Sequence, residues 1–389
     1  MQGNKNIPEL RFPEFEGEWK KITLNNLAKI QRGASPRPIS SNRWYDNENK
    51  KVGWVRIGDV TNSSRYLYRT EDYFSEEGIK KSRFLPKGSL IMSICATIGK
   101  PIITEIDTCI HDGFVGFSDL TNINKEFLYY ILKNLENKFI SLSQTGSQAN
   151  LNTNLINKTK INMPSIKEQK KIANFLTCID QKIELMEKKH TLYQSIKKYI
   201  LSNIFPVNNK KPSLRFKEFK NERKLIKLKE ILSYSSSKHS LNKLEDNIGN
   251  YELYGAEGVV KHVNFFDMDK EYISIIKDGA GVCRLHLCKP YSSIVGTMGY
   301  LTLKNTNYNL KYVYYQLLTL NLKKYVIGTT IPHIYFKDYS KEYILVPNLI
   351  EQGKMANLML LLDTKIMKIQ KQIDNLKKFK KGLLQKMFC

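Results

Sequence analysis

The feature that most constrains this chain is a segment written twice. INMPSIKEQKKIANFLTCIDQKIE begins at residue 161, and ILVPNLIEQGKMANLMLLLDTKIM begins at residue 344, an offset of 183. The alignment of 161–205 with 344–388 needs no gap. It pairs Pro164 with Pro347, Glu168-Gln169 with Glu351-Gln352, and Ala173-Asn174 with Ala356-Asn357. It also pairs Asp180 with Asp363, Lys182-Ile183 with Lys365-Ile366, and Phe205 with Phe388. A second echo confirms the duplication: PELRFPEFEGEWKKITL from Pro8 returns as PSLRFKEFKNERKLIKL from Pro212, an offset of 204. Since 204 − 183 = 21, the material between the matching ends is 21 residues longer in the first half. Matching ends around unlike middles predict a repeated frame that carries two different inserts.

The repeated tail has the period of a helix. Apolar residues fall at Ile172, Phe175, Ile179, Ile183, Met186, Tyr193, Ile196, Ile200 and Ile204. In the second copy they fall at Met355, Leu358, Leu362, Ile366, Ile369, Ile373, Leu376, Phe379, Leu383 and Met387. Steps of three and four give one apolar stripe on a charged helix. Ser165 with Glu168, and Asn348 with Glu351, supply capping-box-like starts just after a proline. A helix of this length reaches roughly 60 Å and cannot bury its stripe alone. Its natural partner is the other copy.

Between these ends the composition changes. Residues 28–160 and 233–343 are rich in Gly, Tyr and β-branched residues, as in GSLIMSICATIG and EYISIIKDGAGV. Short strands broken by Gly turns account for them. Each middle also holds one helix-like piece, NKEFLYYILKNLENKFI or LKYVYYQLLTLNLKKYVI, followed by a polar Gly-containing loop. The expected architecture is therefore α+β in tandem repeat. A mixed domain (1–160) and a long helix (161–205) precede a linker with a second mixed domain (206–343) and a second long helix (344–389).

A chain of 389 residues suits two cores rather than one. The net charge of +25 points to a polyanionic partner, because Lys and Arg that displace condensed counterions gain affinity for nucleic acid. No segment has the length and apolarity of a membrane span, and MQGNKNIPEL has no signal-peptide core, so no membrane partner is expected. Six scattered Cys fit a reducing cytoplasm. CRLHLC (Cys283, His286, Cys288) is irregular for zinc and reads as alternating strand residues, so no metal site is expected.

Candidate DNA-reading residues cluster in the middles. The loop TGSQANLN supplies Thr145, Gly146, Ser147, Gln148, Asn150 and Asn152. Gln and Asn suit bidentate contact with adenine, and Thr and Ser suit phosphate or either base edge. The counterpart GTTIPHIYF supplies Thr329, Thr330, His333 and Tyr335. QRGASPRPISSNRWY carries Arg32, Arg37 and Arg43 in the style of a phosphate-clamping loop. GWVRIGDV predicts a core strand that exposes Arg56 and Asp59. Lys261 and Lys277 lie beside tight Gly turns in the second middle. No GxxxxGK[ST], HExxH or Asn-Pro-Pro-aromatic motif is present, so no catalytic residue and no cofactor is assigned to this chain.

The starts EQKKIANFLTCIDQKIE and EQGKMANLMLLLDTKIM, the finish KKGLLQKMF and the echoed LRFPEFEGEW and LRFKEFKNER resemble the specificity subunit of type I restriction-modification systems. The resemblance covers essentially the whole chain. It implies that the middles are target recognition domains, each reading one half of a bipartite, asymmetric site in double-stranded DNA. It implies that the long helices pair antiparallel as a coiled-coil spacer and dock two DNA methyltransferase (modification) subunits. S-adenosylmethionine, ATP and Mg would then belong to the modification subunits and to restriction/translocase subunits. Together these would form an adenine-N6 methyltransferase and ATP-dependent endonuclease. Two other classes are weighed against it: a stand-alone DNA-modifying enzyme, and a non-specific nucleic-acid-binding coiled-coil scaffold.

Overall fold

The computed structural model describes residues 6–143, 151–206, 212–241, 244 and 249–389. They form two units. The first comprises Met1–Leu185 with Ile373–Cys389, and the second Met186–Gln372.

In the first half the strands are β1 (Lys20–Thr23), β2 (Lys29–Arg32), β3 (Val52–Val55), β4 (Tyr66–Leu67), β5 (Asp72–Phe74), β6 (Arg83–Leu85), β7 (Leu90–Ser93), β8 (Pro101–Thr104), β9 (Thr108–Ile110), β10 (Phe114–Ser118) and β11 (Lys160–Met163). The helices are α1 (Ile57–Thr61), α2 (Glu76–Lys80), α3 (Lys125–Asn134), α4 (Glu136–Ser143), α5 (Thr153–Asn157) and α6 (Ile166–Ile204). The second half contributes β12 (Lys224–Lys227), β13 (Leu232–Ser236), β14 (Tyr251–Gly255), β15 (Gly258–Val263), β16 (Tyr272–Ile276), β17 (Leu285–Cys288), β18 (Ser292–Ile294), β19 (Met298–Leu303) and β20 (Tyr343–Val346). Its helices are α7 (Leu228–Ile231), α8 (Leu310–Thr319), α9 (Phe336–Tyr339) and α10 (Leu349–Lys386).

The two halves repeat one plan. A sheet ordered β2-β10-β7-β8-β4 in the first unit corresponds to β13-β19-β16-β17 in the second. The pairs β1-β11 and β12-β20 close the frame. A side sheet, β5-β3-β9-β6 or β15-β14-β18, is built on one parallel pairing in each case, β3 with β9 and β14 with β18. Thus YELYG occupies the place of VGWV, and the longer first middle carries more strands around it. The central strands β7, β8 and β16 are buried along their whole length, so their sequences are predominantly apolar rather than alternating, with Ser93, Thr104 and Ser274 buried among the apolar residues.

The long helices differ from the sequence reading at their starts. Residues 160–163 and 343–346 are strands, and the helices begin only at Ile166 and Leu349, after the prolines. Ser165 Oγ accepts from the Glu168 amide and Asn348 Oδ1 from the Glu351 amide, but the two glutamate side chains turn elsewhere. Nor is the stripe buried throughout: Phe175, Ile196 and Phe379 are exposed. Phe175 instead meets the ring of Phe12 edge-on at 5.7 Å.

Each helix also serves both units, which the boundaries drawn from sequence miss. In the first unit Ile172, Leu176, Ile179 and Ile183 at the start of α6 share a core with Leu383, Met387 and Phe388 at the end of α10. In the second, Ile204 and Phe205 at the end of α6 share a core with Met355, Ala356 and Met359 at the start of α10. The helices are antiparallel partners in each unit. Phe388 packs between Trp19 and Phe127, with centroids at 6.4 and 5.5 Å. Phe205 packs on Tyr312 and Tyr315 at 5.5 and 6.1 Å. The repeated terminal phenylalanine therefore fills the unit that holds the other repeat's middle.

Candidate nucleic-acid interface

The repeated residues turn out to hold the frame. Glu168 is buried and takes a two-pronged grip from Arg11, Nε to Oε1 and Nη2 to Oε2, both at 2.8 Å. Trp19 Nε1 adds a contact at 3.3 Å. In the second unit Arg215 grips Glu351 the same way, at 2.9 and 2.7 Å, and Arg223 replaces the tryptophan with a bond of 2.7 Å. Burial pushes the Glu351 carboxyl up, but the Arg215 and Arg223 guanidinia more than offset it, and the group sits below the ordinary carboxylate range. The neighbouring glutamines tie the helix to the middle. Gln169 Oε1 accepts from the Asn124 amide at 2.9 Å, and Gln352 Oε1 from the Asn309 amide at 2.8 Å. Asn124 and Asn309 in turn cap α3 and α8.

The repeated aspartates complete the pattern. Tyr130 donates to Asp180 and Tyr315 to Asp363, each at 2.7 Å. Lys380 pairs with Asp180 in the first unit and Lys197 with Asp363 in the second. Each aspartate near a helix start thus ties a middle on one side and the far end of the other long helix on the other. One tie has no counterpart among the described residues: the buried Arg65 donates to Tyr130 Oη at 2.7 Å and Thr177 Oγ1 at 2.8 Å, and pairs with Glu126.

Held by this frame, each middle presents a rim where strands of its main sheet end. In the first unit the rim is made by Arg32 at the end of β2, the turn after β7 and the turn before β10. The Ile94 amide donates to the Gly113 carbonyl, and the Leu151 amide to the Ile94 carbonyl. In the second unit the Lys277 amide donates to the Thr297 carbonyl, and the Ile334 amide to the Lys277 carbonyl. Leu151 and Ile334, both buried, therefore take the same rim position in the two units.

The candidate residues occupy different settings. Arg32, Arg37 and Arg43 are exposed; Arg32 Nε donates to the Asp112 carbonyl at 2.6 Å, and Arg43 stacks over Trp44 at 3.9 Å. Arg56 follows β3 and is exposed as expected, but its guanidinium pairs with Asp72 at 2.8 Å. Asn152 is a helix cap: its Oδ1 accepts from the Asn154 amide at 2.8 Å. Thr145, Gly146, Ser147, Gln148 and Asn150 lie outside the described residues. Lys261 sits on β15, with its amine on the Leu244 carbonyl at 2.7 Å.

In the second unit Lys277, Thr329, Thr330 and His333 come together. Ile327 and His333 exchange both backbone hydrogen bonds, at 2.9 and 2.8 Å, and 328–332 form the hairpin tip. His333 Nδ1 meets Asp278 Oδ1 at 2.7 Å, and Asp278 Oδ2 lies 3.4 Å from Lys277 Nζ. Thr329 and Thr330 are exposed at the tip, and Tyr335 is exposed beyond it with Lys337 over its ring. The sequence reading passed over two rim histidines. His111 is pushed down in pKa by burial and accepts from the Gly113 amide through Nδ1, so it is neutral near pH 7. His239, three residues past β13, meets Asp267 at 2.8 Å. Only side-by-side alignment of the strand ends would have flagged them.

Cys283, His286 and Cys288 do not converge. His286 Nε2 lies 3.1 Å from the Ala256 carbonyl, and Cys288 Sγ 3.3 Å from Ser274 Oγ. Among the described residues no group of His, Cys, Asp and Glu is arranged to hold a metal.

The family described as type I restriction modification DNA specificity domain matches twice, over residues 16–194 and 195–386. The type I restriction enzyme MjaIX specificity subunit of Methanocaldococcus jannaschii is 24% identical over 412 aligned positions, covering 95% of this chain and 92% of that one. The crystal structure of a type I restriction-modification S subunit from M. genitalium superposes with a TM-score of 0.72 at 17% identity, over 98% of this chain and 99% of that one. A chain from a study of complex assembly and conformational transition of the type I R-M system superposes at 0.54 with 13% identity, over 95% and 97%.

Proposed function

The chain belongs to the type I restriction-modification DNA specificity family, and from that membership we propose how its two units read DNA. It is a specificity subunit whose role is recognition of a DNA sequence. Each rim reads one half of a bipartite, asymmetric site, and the paired helices fix the spacing between the halves. The observation that carries this reading is the contrast between the two parts of each unit. Most ties of the frame recur at matching positions, Arg11 and Arg215 on Glu168 and Glu351 and Tyr130 and Tyr315 on Asp180 and Asp363, whereas the rims differ: Arg32, Gly113 and Cys95 in one correspond to Ser236, Thr297 and Asp278 in the other. Two unlike readers on one frame suit an asymmetric target.

The partners follow from what the frame does not use. Asn174 and Lys182 recur as Asn357 and Lys365, exposed in both units, although the ties above need neither. The same surface offered twice supports docking of two copies of one partner, the modification subunit. Adenine methylation with S-adenosylmethionine, and ATP- and Mg-dependent cleavage by restriction subunits, then lie on other chains. Among the described residues no helix is long and apolar enough to cross a membrane, which is compatible with action on cytoplasmic DNA.

Methylome sequencing of a host that expresses this chain with its modification subunit is the test. The expected result is one bipartite adenine-methylated motif, and exchange of 233–343 for another such middle changes one half of it. Methylation by the lone chain with S-adenosylmethionine would favour a self-sufficient enzyme instead. Binding without sequence preference would favour a scaffold.

A further inference from the structure

The hairpin tip of the second unit is rigid and ends in an exposed apolar side chain. Its base is pinned four ways: by the Ile327–His333 pair, the His333–Asp278 contact, the Gly279 amide on the Pro332 carbonyl, and the Ile334 amide on the Lys277 carbonyl, the last two at 2.9 Å. Gly328 sits at φ +85°, and a Cβ there would lie 2.7 Å from the Ile331 carbonyl, so the turn is built for glycine. On this base Thr329, Thr330 and Ile331 project outward, and Ile331 is 58% exposed. All three are β-branched and nearly fixed at χ1, so ordering them on a ligand costs little entropy. Lys277 stands at the base beside Asp278, and exposed Lys323, Lys324 and Lys337, of which Lys324 pairs with Glu342, lie close to the tip along the chain.

The major groove of B-DNA admits elements as wide as a two-stranded β-ribbon, and so has room for a hairpin tip closed by a single bridge. The only apolar group that base pairs present in that groove is the C5 methyl of thymine. We propose that Ile331 is a specificity-determining residue that reads a thymine methyl in the half-site of the second unit. The proposal rests on the DNA-specificity reading above. Basic side chains around the tip favour DNA over a protein surface as its counterpart.

The test uses the full chain assembled with its modification subunits and a duplex that carries the site found by methylome sequencing. Each thymine of the second half-site is replaced in turn by deoxyuridine, which removes only the methyl group. One replacement is expected to weaken wild-type binding about fourfold, the equivalent of ~0.8 kcal/mol for one buried methyl. Ile331→Ala is expected to bind that thymine and uracil duplex equally, and Ile331→Val to keep part of the difference. A half-site with no thymine, no sensitive thymine, or the same uracil penalty in Ile331→Ala overturns the proposal. So does an Ile331→Ala variant that keeps the uracil profile but loses its modification subunits, since the tip then faces protein. Absence of any sequence preference in the wild type would overturn the specificity reading itself.

Discussion

Glu351 shows how much one side chain can hold when it is buried between two guanidinia. Removing one partner of such a cluster leaves charge without compensation, at a cost of about 3–5 kcal/mol. Glu351→Ala should therefore lower the urea midpoint of the second unit by that equivalent, with the first unit spared. The pH dependence has a definite sign. A carboxyl whose folded pKa lies below its ordinary 4.5 contributes stability above that pH and loses it as pH falls through the lowered value. The gap in melting temperature between wild type and Glu351→Gln should accordingly narrow as pH drops below 4.5. A gap that widens on acidification would contradict the assignment. At this scale the sequence displayed the repeated Glu-Gln pair but not its purpose, because the partners Arg11 and Arg215 lie 157 and 136 residues away. Arg56 was legible as exposed, yet its pairing with Asp72 depends on the neighbouring strand β5, which no local spacing reveals. Asn152 misleads for a similar reason: the residue types that read adenine also cap helices.

The elements were more legible than the contacts. Period and caps located α6 and α10, since apolar spacing of three and four survives any tertiary context. Their first few residues were misassigned because β11 and β20 are short strands paired with segments far back in the chain, β1 and β12. Each long helix runs unbroken, 39 residues in α6 and 38 in α10, and adds about 1.5 Å per residue. Inserting one helical turn within 184–200 should thus shift the methylated motif to a longer spacer while both half-sites stay the same. Methylome sequencing of the variant reads this directly, and an unchanged spacer would rule out the helices as a ruler.

For the whole molecule, the division of each helix between two units is what the sequence concealed. Periodicity shows that a stripe must be covered, not which segment covers it. Deleting 373–389 removes Lys380, Leu383, Met387 and Phe388 from the first unit's contacts and core. Hydrogen exchange should then rise across Trp19 and α3 while β16 and β19 stay protected; uniform loss would mean that the units are not separable. Duplication also predicts stoichiometry. Asn174→Arg should leave one modification subunit bound, and Asn174→Arg with Asn357→Arg none, as counted by native mass spectrometry. Retention of two copies by the double variant would place docking elsewhere.

The way Phe388 seats between Trp19 and Phe127 also bears on synthesis. Ribosomes add roughly 5–20 residues per second, so the nascent first unit waits on the order of tens of seconds for its last core residue. The second unit, made entirely of 186–372, is complete before 373–389 are translated. The residues of the second unit are therefore all made before the first unit receives Leu383, Met387 and Phe388. The apolar seat between Trp19 and Phe127 is filled only after every residue of the second unit has been made.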